Sequence, residues 1–232
     1  MRKRCWPLFG TPYTSRPNAF LGAFLPFQQR IAELGVRNSL VQTALKLTLP
    51  GMPDIYQGAE LWDFSLVDPD NRRSVDYQTR IELLEQIEAL LERNRHTALL
   101  DMLEDWRDGR IKLAVITTLL NYRRDHSKLF AEGGYEPLMA TGLRANQICA
   151  FARFHEDDVL IVAASRFPVR FEADHDWTGT EISWPQAASI GTHWRELFGG
   201  CIVERHGQAV DVGTLLEGMP VAVLVPDDRS HR

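Results

Sequence analysis

Residues 50–73 read PGMPDIYQGAELWDFSLVDPDNRR, and they predict a sharp change of secondary structure. Pro50 and Pro53, on either side of Gly51, must end a helix that arrives from the N-terminal side, because proline lacks the amide proton that a helix interior requires. Ile55 and Tyr56 then leave room for a very short buried strand before Gly58. The order of elements predicted here is therefore helix, short strand and loop.

The loop that follows the predicted strand concentrates carboxylates, arginines and aromatic rings. Barrel and open α/β enzymes place such side chains around a polar ligand, just past the C-terminal end of a strand. The alternative is a solvated loop with an internal network of Asp–Arg ion pairs. Aromatic residues among the charges favour a ligand site. The candidate binding residues are Tyr56, Gln57, Glu60, Trp62, Asp68, Asp70, Arg72 and Arg73.

Amphipathic helices are predicted on both sides of this loop. Upstream, apolar residues recur at helical spacing from Pro17, are interrupted at Pro26, and resume in a second run that ends at Pro50. Downstream, one helix is predicted to begin near Asp76, and a last helix spans residues 111 to about 124. These helices carry no pattern that indicates chemistry.

After residue 133 the pattern changes to short strands separated by turns rich in Gly, Asp and Pro. Strands are predicted at residues 147–154, 159–164, 169–172, 181–183, 192–197 and 221–225, and the first two form a hairpin. These strands indicate an antiparallel β-sandwich. Its Trp177, Trp184 and Trp194 either stack on carbohydrate or pack in the core, and core packing is the favoured interpretation.

The helical half contains one helix–strand–helix unit, whereas a complete (β/α)8 barrel takes about 250 residues. We therefore predict an α+β fragment: the terminal helix–strand–helix part of a (β/α)8 barrel, followed by a C-terminal antiparallel β-sandwich domain. The predicted segments are 1–16, irregular; 17–132, the mostly helical barrel part; and 133–232, the β domain. A lone buried strand leaves its backbone groups unpaired. Its partner is expected to be the missing N-terminal barrel portion or a second copy of the chain.

The composition of the chain excludes several classes of function. A net charge of −5 over 232 residues does not favour nucleic acid as a partner, and no apolar run is long enough to predict a membrane helix. The three cysteines and seven histidines stand singly, without metal-site spacing, so no metal and no cofactor are predicted. Free thiols and the lack of a signal-peptide core lead us to expect a cytoplasmic protein.

The residues of the opening loop also resemble a known family. Residues 45–60 resemble the eighth-strand region of the α-amylase superfamily, and 61–77, LWDFSLVDPDNRRSVDY, resemble the malto-oligosyltrehalose synthases more specifically. These enzymes are (1→4)-α-D-glucan 1-α-D-glucosylmutases of glycoside hydrolase family 13. Further similar segments are 27–40, 108–113 and 148–153. The resemblance covers about residue 17 to the C-terminus and concerns the C-terminal portion of the family.

The resemblance implies an isomerase that converts the reducing-end α-1,4 link of a maltodextrin into the α,α-1,1 link of trehalose. It also implies a retaining mechanism with an Asp nucleophile, a Glu acid/base and a stabilising Asp, all carried by earlier barrel strands. No part of residues 1–49 reads as one of their motifs. We therefore predict no catalytic residue in this chain. Glu60 and Asp68 are far enough apart to form a pair of their own, but a loop without a scaffold places carboxylates poorly.

The resemblance assigns the candidate loop residues to substrate binding, and each has a structural alternative. Tyr56 either stacks on a sugar ring or packs in the barrel core, and Trp62 is either a glucose platform or a packing residue. Gln57 and Glu60 can bind sugar hydroxyls, but Glu60 can instead pair with Arg72 or Arg73. For the remaining members (Asp68, Asp70, Arg72 and Arg73), loop structure is favoured over direct contact.

The leading hypothesis is thus the C-terminal part of an enzyme of trehalose biosynthesis from glycogen or starch. Its partner is a maltodextrin or a glycogen-derived oligosaccharide, and the chain by itself is expected to be inactive. Two alternatives are a non-catalytic maltodextrin-binding or complementing module and a truncated gene remnant.

Overall fold

A computed structural model of the chain describes residues 19–65, 67–170, 177–186 and 192–227, except for the side chains of Ala19, Pro69 and Asp70. The chain forms two compact units, Met1–Gly35 and Val36–Arg232. The irregular segment predicted at 1–16 lies outside the described residues. The predicted boundary near residue 133 stays a prediction.

The first unit contains the beginning of helix α1, which spans Ala19–Thr48. The predicted interruption at Pro26 is wrong, because this proline lies inside the helix. A proline removes one backbone hydrogen bond, and the flanking turns can sustain the helix around it. The helix ends just before Pro50, as predicted.

The helices of the second unit follow the predicted order. They are the remainder of α1, α2 (Tyr77–Glu104), α3 (Arg110–Asp125) and α4 (Ser127–Ala131). Asp76 caps α2 by accepting hydrogen bonds from the backbone N–H and the hydroxyl of Thr79, which confirms the predicted start of this helix. Helix α2 is kinked at Asn94, where φ and ψ leave the helical region.

The strands form two antiparallel sheets. A six-stranded sheet has the order β1-β3-β4-β9-β6-β7, and a three-stranded sheet has the order β2-β5-β8. The strands are β1 (Gly134–Pro137), β2 (Ala140–Thr141), β3 (Ile148–His155), β4 (Asp158–Ser165), β5 (Glu181–Ser183), β6 (His193–Glu196), β7 (Ile202–Glu204), β8 (Ala209–Asp211) and β9 (Val221–Pro226). A short helix α5 (Val212–Leu215) precedes β9.

Most predicted strands are confirmed, and one is wrong. At 169–172, residues 168–170 are helical, while 171 and 172 lie outside the described residues. Pro168 is the first helical residue, a position where the fixed φ of proline favours helix over strand. The sequence pattern did not predict β1, β2, β7 and β8, each of which has two to four residues.

Strand β4 is buried on both faces because the larger sheet lies between two layers. Its Leu160, Val162 and Ala164 belong to the core shared with helices α1–α4. The alternate residues of β4 pack on the other face, in the core that the two sheets enclose. The predicted β-sandwich is therefore present, and helices cover the outer face of its larger sheet. This arrangement explains the uninterrupted apolar run in the sequence of β4.

The three tryptophans of the β part lie in the core between the sheets. Trp194 is fully buried, and the rings of Trp184 and Trp194 lie 5.3 Å apart. Trp177 is 6% exposed. Their burial favours core packing over carbohydrate stacking. In the part of the chain that is described, no helix has both the length and the apolar character needed to cross a membrane.

Arg153 of β3 is the one arginine of the described residues that lies fully inside the core. Its guanidinium donates hydrogen bonds to the carbonyls of Thr48, at the end of α1, and of Leu129, in α4, at 3.2 and 3.1 Å. It also donates to the carbonyls of Gly133 and Gly134 at 3.0 and 2.9 Å. Carbonyls at helix C-termini carry partial negative charge, so they stabilise this buried cation. Arg153 thus joins two helices to the edge of the larger sheet.

Candidate functional site

The loop between α1 and α2, residues 49–76, contains all the candidate binding residues. The short strand predicted at Ile55–Tyr56 is not formed: residues 52–56 have no regular structure, and no described residue pairs with them in a ladder. Ile55 is half-buried and Tyr56 is 48% exposed. The prediction fails because a strand requires a neighbour for its backbone groups, and the described chain offers none here.

A tight turn directly follows this segment. The amide of Ala59 donates to the carbonyl of Tyr56 at 2.9 Å. Gly58, the third residue of the turn, has a φ of 89°, as in a type II turn, which requires glycine or asparagine at that position. Tyr56 and Gln57 occupy the first two positions, and both are exposed. The turn therefore presents these two candidates to solvent.

Arg80, in the first turn of α2, holds this turn in place. Its Nε donates to the Glu60 carboxylate at 3.0 Å, and one Nη donates to the carbonyl of Gly58 at 2.9 Å. The other Nη donates to the carbonyl of Asp76 at 3.0 Å. The predicted structural alternative for Glu60, an ion pair, is thus realised, but with Arg80 rather than with Arg72 or Arg73.

A second set of contacts holds the loop residues Leu61 and Trp62 against the start of α3. The Trp62 indole N–H donates to the carbonyl of Trp106 at 2.5 Å, and the two rings meet edge to face. Lys112 Nζ donates to the carbonyl of Leu61 at 3.1 Å and lies 5.5 Å from the centre of the Trp62 ring. Burial lowers the pKa of Lys112, and the nearby Lys46 lowers it further. One edge and one face of Trp62 are therefore engaged within the protein.

Close packing of backbone against side chain explains why a glycine precedes α3. Gly109 has a φ of 84°, and a Cβ built on it would lie 3.1 Å from Cδ2 of Leu61. A larger residue would be strained in this left-handed conformation and would also displace the loop. Gly109 and Lys112 both belong to the segment 108–113 that resembles the family.

The remaining candidates lie in the exposed second half of the loop. Asp68 and Arg72 form an ion pair across one turn of a 3-10 helix, and both side chains are more than two-thirds exposed. Arg73 is exposed. The side chain of Asp70 lies outside the described residues. Asp63 accepts hydrogen bonds from the backbone N–H and the hydroxyl of Ser65, and these bonds hold the pKa of its carboxyl below the usual range.

The structure thus divides the candidates into two groups. It places Glu60 and Trp62 in contact with helices α2 and α3, and it leaves Tyr56, Gln57 and the Asp68–Arg72 pair exposed. The sequence analysis missed Arg80, Trp106 and Lys112, which hold the loop. Of these three residues, only Lys112 could have been selected from the sequence, because it lies in segment 108–113, which resembles the family. Among the described residues, no three His, Cys, Asp or Glu side chains are grouped so that they could hold a metal ion.

Comparison with known proteins identifies relatives of the chain. No protein-family model matches it. A protein of Mycobacterium tuberculosis (strain CDC 1551 / Oshkosh) that carries the name maltooligosyl trehalose synthase is 36% identical over 191 residues, or 82% of this chain. The protein of the same name from strain ATCC 25618 / H37Rv matches equally. The chain spans about a fifth of the length of these relatives.

Solved structures agree with this result. The maltooligosyltrehalose synthase of Arthrobacter ramosus superposes with a TM-score of 0.68 and 32% identity, over 86% of this chain and 23% of that one. A structure described as DSM5389 glycosyltrehalose synthase gives a TM-score of 0.64 at 27% identity, over 91% of this chain and 23% of that one. By sequence and by fold, the chain belongs to the maltooligosyltrehalose synthase family and corresponds to a C-terminal portion of it.

Proposed function

We propose that this chain contributes one wall of a maltodextrin-binding site and acts only together with the remainder of a maltooligosyltrehalose synthase barrel. In that assembly the reaction would be isomerisation of the reducing-end α-1,4 link to the α,α-1,1 link of trehalose. The cytoplasmic location and the role in trehalose biosynthesis belong to the same proposal.

The observation that carries this proposal is the unpaired segment 52–56 beside an ordered, polar turn. Met52 is 97% exposed, and Phe64, beyond the turn, is 82% exposed. Both side chains belong to the loop 49–76, and a further protein segment packed on this loop would bury their apolar surface. The backbone N–H and C=O groups of 52–56 also need hydrogen-bond partners, and a neighbouring strand would supply them. A barrel portion that supplies such a strand would meet both needs.

The carboxylates of the loop do not support catalysis by the chain alone. Glu60 is engaged by Arg80, and Asp68 by Arg72. A retaining glycosidase-type mechanism uses two carboxyl groups about 5 to 5.5 Å apart, one of which must be able to give up a proton to the leaving group. Glu60 and Asp68 are thus each bonded to a different arginine, and such contacts favour a role in shaping the loop.

Complementation tests the proposal directly. The M. tuberculosis relative would be prepared without its matched 191 residues and mixed with this chain, and the loss of reducing ends from maltopentaose would be followed. We expect no activity from either part alone and activity from the mixture. Maltopentaitol, which has no reducing end, is the control substrate. Turnover by this chain alone would refute the proposed dependence on the barrel.

The alternative of a non-catalytic maltodextrin-binding module is favoured by the exposure of Tyr56 and Gln57. Calorimetric titration with maltoheptaose would measure binding by the wild-type chain and by a Tyr56→Ala variant. Binding that weakens in the variant, without restored activity in the mixture, would establish the module. A chain that neither binds nor complements would leave only the gene remnant.

A further inference from the structure

We infer that Arg80 is a positioning residue for glucan binding: it fixes the turn 56–59, so that Tyr56 and Gln57 are held in one orientation. The inference rests on the proposed function, because it assumes that these two residues meet the sugar. It adds a residue of helix α2 that the sequence analysis did not select.

The contacts of Arg80 with the turn lie at its C-terminal side, at Gly58 and at Glu60. All three guanidinium nitrogens donate: to the Glu60 carboxylate, to the Gly58 carbonyl and to the Asp76 carbonyl of its own helix. Gly58 is the third residue of the turn, and Glu60 follows its last residue. Arg80 therefore joins the inner side of the turn to the first turn of α2.

A planar guanidinium suits this task better than an ammonium group. Arginine presents donors in a rigid fork, so one side chain binds a carboxylate and a carbonyl in fixed directions, whereas lysine offers a single rotating centre. The side chains of Arg80 and Glu60 are only 19% and 25% exposed, so water screens their ion pair incompletely. The contact is therefore stronger than a typical surface ion pair.

The groups that Arg80 orders are exposed, so its role differs from that of a core residue. The cap of helix α2 is made by the Asp76 carboxylate with Thr79, whereas Arg80 donates to the Asp76 carbonyl, and the helix has buried residues of its own, Ile87 among them. Removal of Arg80 should consequently loosen the turn while the helices and sheets persist. Beyond the turn, the described loop is also held by the Lys112 bond to the Leu61 carbonyl and by the Trp62 bond to the Trp106 carbonyl.

Hydrogen exchange of the complete chain, followed by NMR, tests the positioning claim without any ligand. The variants are Arg80→Met and Arg80→Lys, with Arg93→Met as the matched control, since Arg93 is exposed on the same helix. In Arg80→Met we expect exchange at the Ala59 amide to rise about tenfold or more, as loss of charge-assisted bonds implies. Amides of β4 and β9 should be unchanged. Unchanged exchange at Ala59 would overturn the inference.

Titration of the same variants with maltoheptaose relates the turn to binding. We expect the Kd to rise about tenfold in Arg80→Met, to rise less in Arg80→Lys, and to stay unchanged in Arg93→Met. Equal affinity of Arg80→Met and wild type would refute the link to glucan. If the wild-type chain binds no maltoheptaose and also fails to complement, the proposed function of this wall fails, whereas the exchange result still decides whether Arg80 orders the turn.

Discussion

Replacing Arg153 by methionine should cost far more stability than replacing any exposed arginine. Methionine keeps most of the aliphatic volume but removes every donor from a fully buried position. The carbonyls of Thr48, Leu129, Gly133 and Gly134 would then lose a partner inside the core. We expect the effect to concentrate where α1 and α4 meet the edge strand β1.

The magnitude follows from these contacts. Each buried acceptor left unsatisfied costs about 1–3 kcal/mol, while the variant is relieved of the cost of burying a charge. Two of the four carbonyls, of Thr48 and Leu129, accept in buried bonds, and those of Gly133 and Gly134 accept in partly buried ones, so the net loss in the free energy of unfolding should be about 3–5 kcal/mol. For a chain of this length, that loss lowers Tm by about 10 °C.

Urea denaturation followed by circular dichroism measures this loss, with Arg93→Met as the control. The exposed control should stay within about 0.5 kcal/mol of wild type. The free energy of unfolding of Arg153→Lys should lie between those of Arg153→Met and Arg93→Met, because an ammonium retains the charge but reaches fewer carbonyls. If Arg153→Met lies within about 1 kcal/mol of the control, the hydrogen-bonded guanidinium does not stabilise the junction, and the reasoning is refuted.

Two further changes test other parts of the structure. Gly109→Ala should destabilise the chain by about 2 kcal/mol and Gly207→Ala by about 1 kcal/mol. Both glycines have positive φ, but only at Gly109 would a Cβ also meet Leu61. Equal losses of stability in urea denaturation would contradict the contribution of the Leu61 contact. Burial raises the pKa of the Glu196 carboxyl above its ordinary value near 4.5, despite hydrogen bonds from the amides of Gly199, Phe198 and Val223. Between the ordinary and the raised pKa, the folded state binds a proton that the unfolded state has lost. The free energy of unfolding should therefore fall as pH rises through this range. Glu196→Gln should flatten this part of the stability–pH curve, and an unchanged slope would show that another group is responsible.

The sequence predicted those elements whose signals are local. The end of α1 before Pro50, the start of α2 near Asp76 and the hairpin of β3 and β4 were all predicted, because each depends on residues within a few positions. The structure buries β4 and β9 on both faces, which accounts for the uninterrupted apolar runs in their sequences. The same local pattern missed strands of two to four residues, since so short a segment shows no clear alternation.

The loop at residues 50–73 shows where local reasoning ends. Its composition predicted a polar site, and the resemblance of its residues to the family pointed to the family that the comparisons show. The sequence also predicted a strand at Ile55–Tyr56, but a strand exists only with a neighbour, and the described chain provides none there. The local pattern therefore predicts a strand that the described chain by itself does not form.

The tertiary structure alone decided which loop residues are available to a ligand. Glu60 is turned toward Arg80, twenty positions later, and Trp62 toward Trp106, forty-four positions later. Neither separation is a helical or strand period, so no pattern in the sequence reports it. Folding brings these partners together through the packing of α2 and α3, and it leaves Tyr56 and Gln57 on the exposed turn. The sequence by itself predicted the kind of site, and long-range contacts determined which of the candidate residues are exposed.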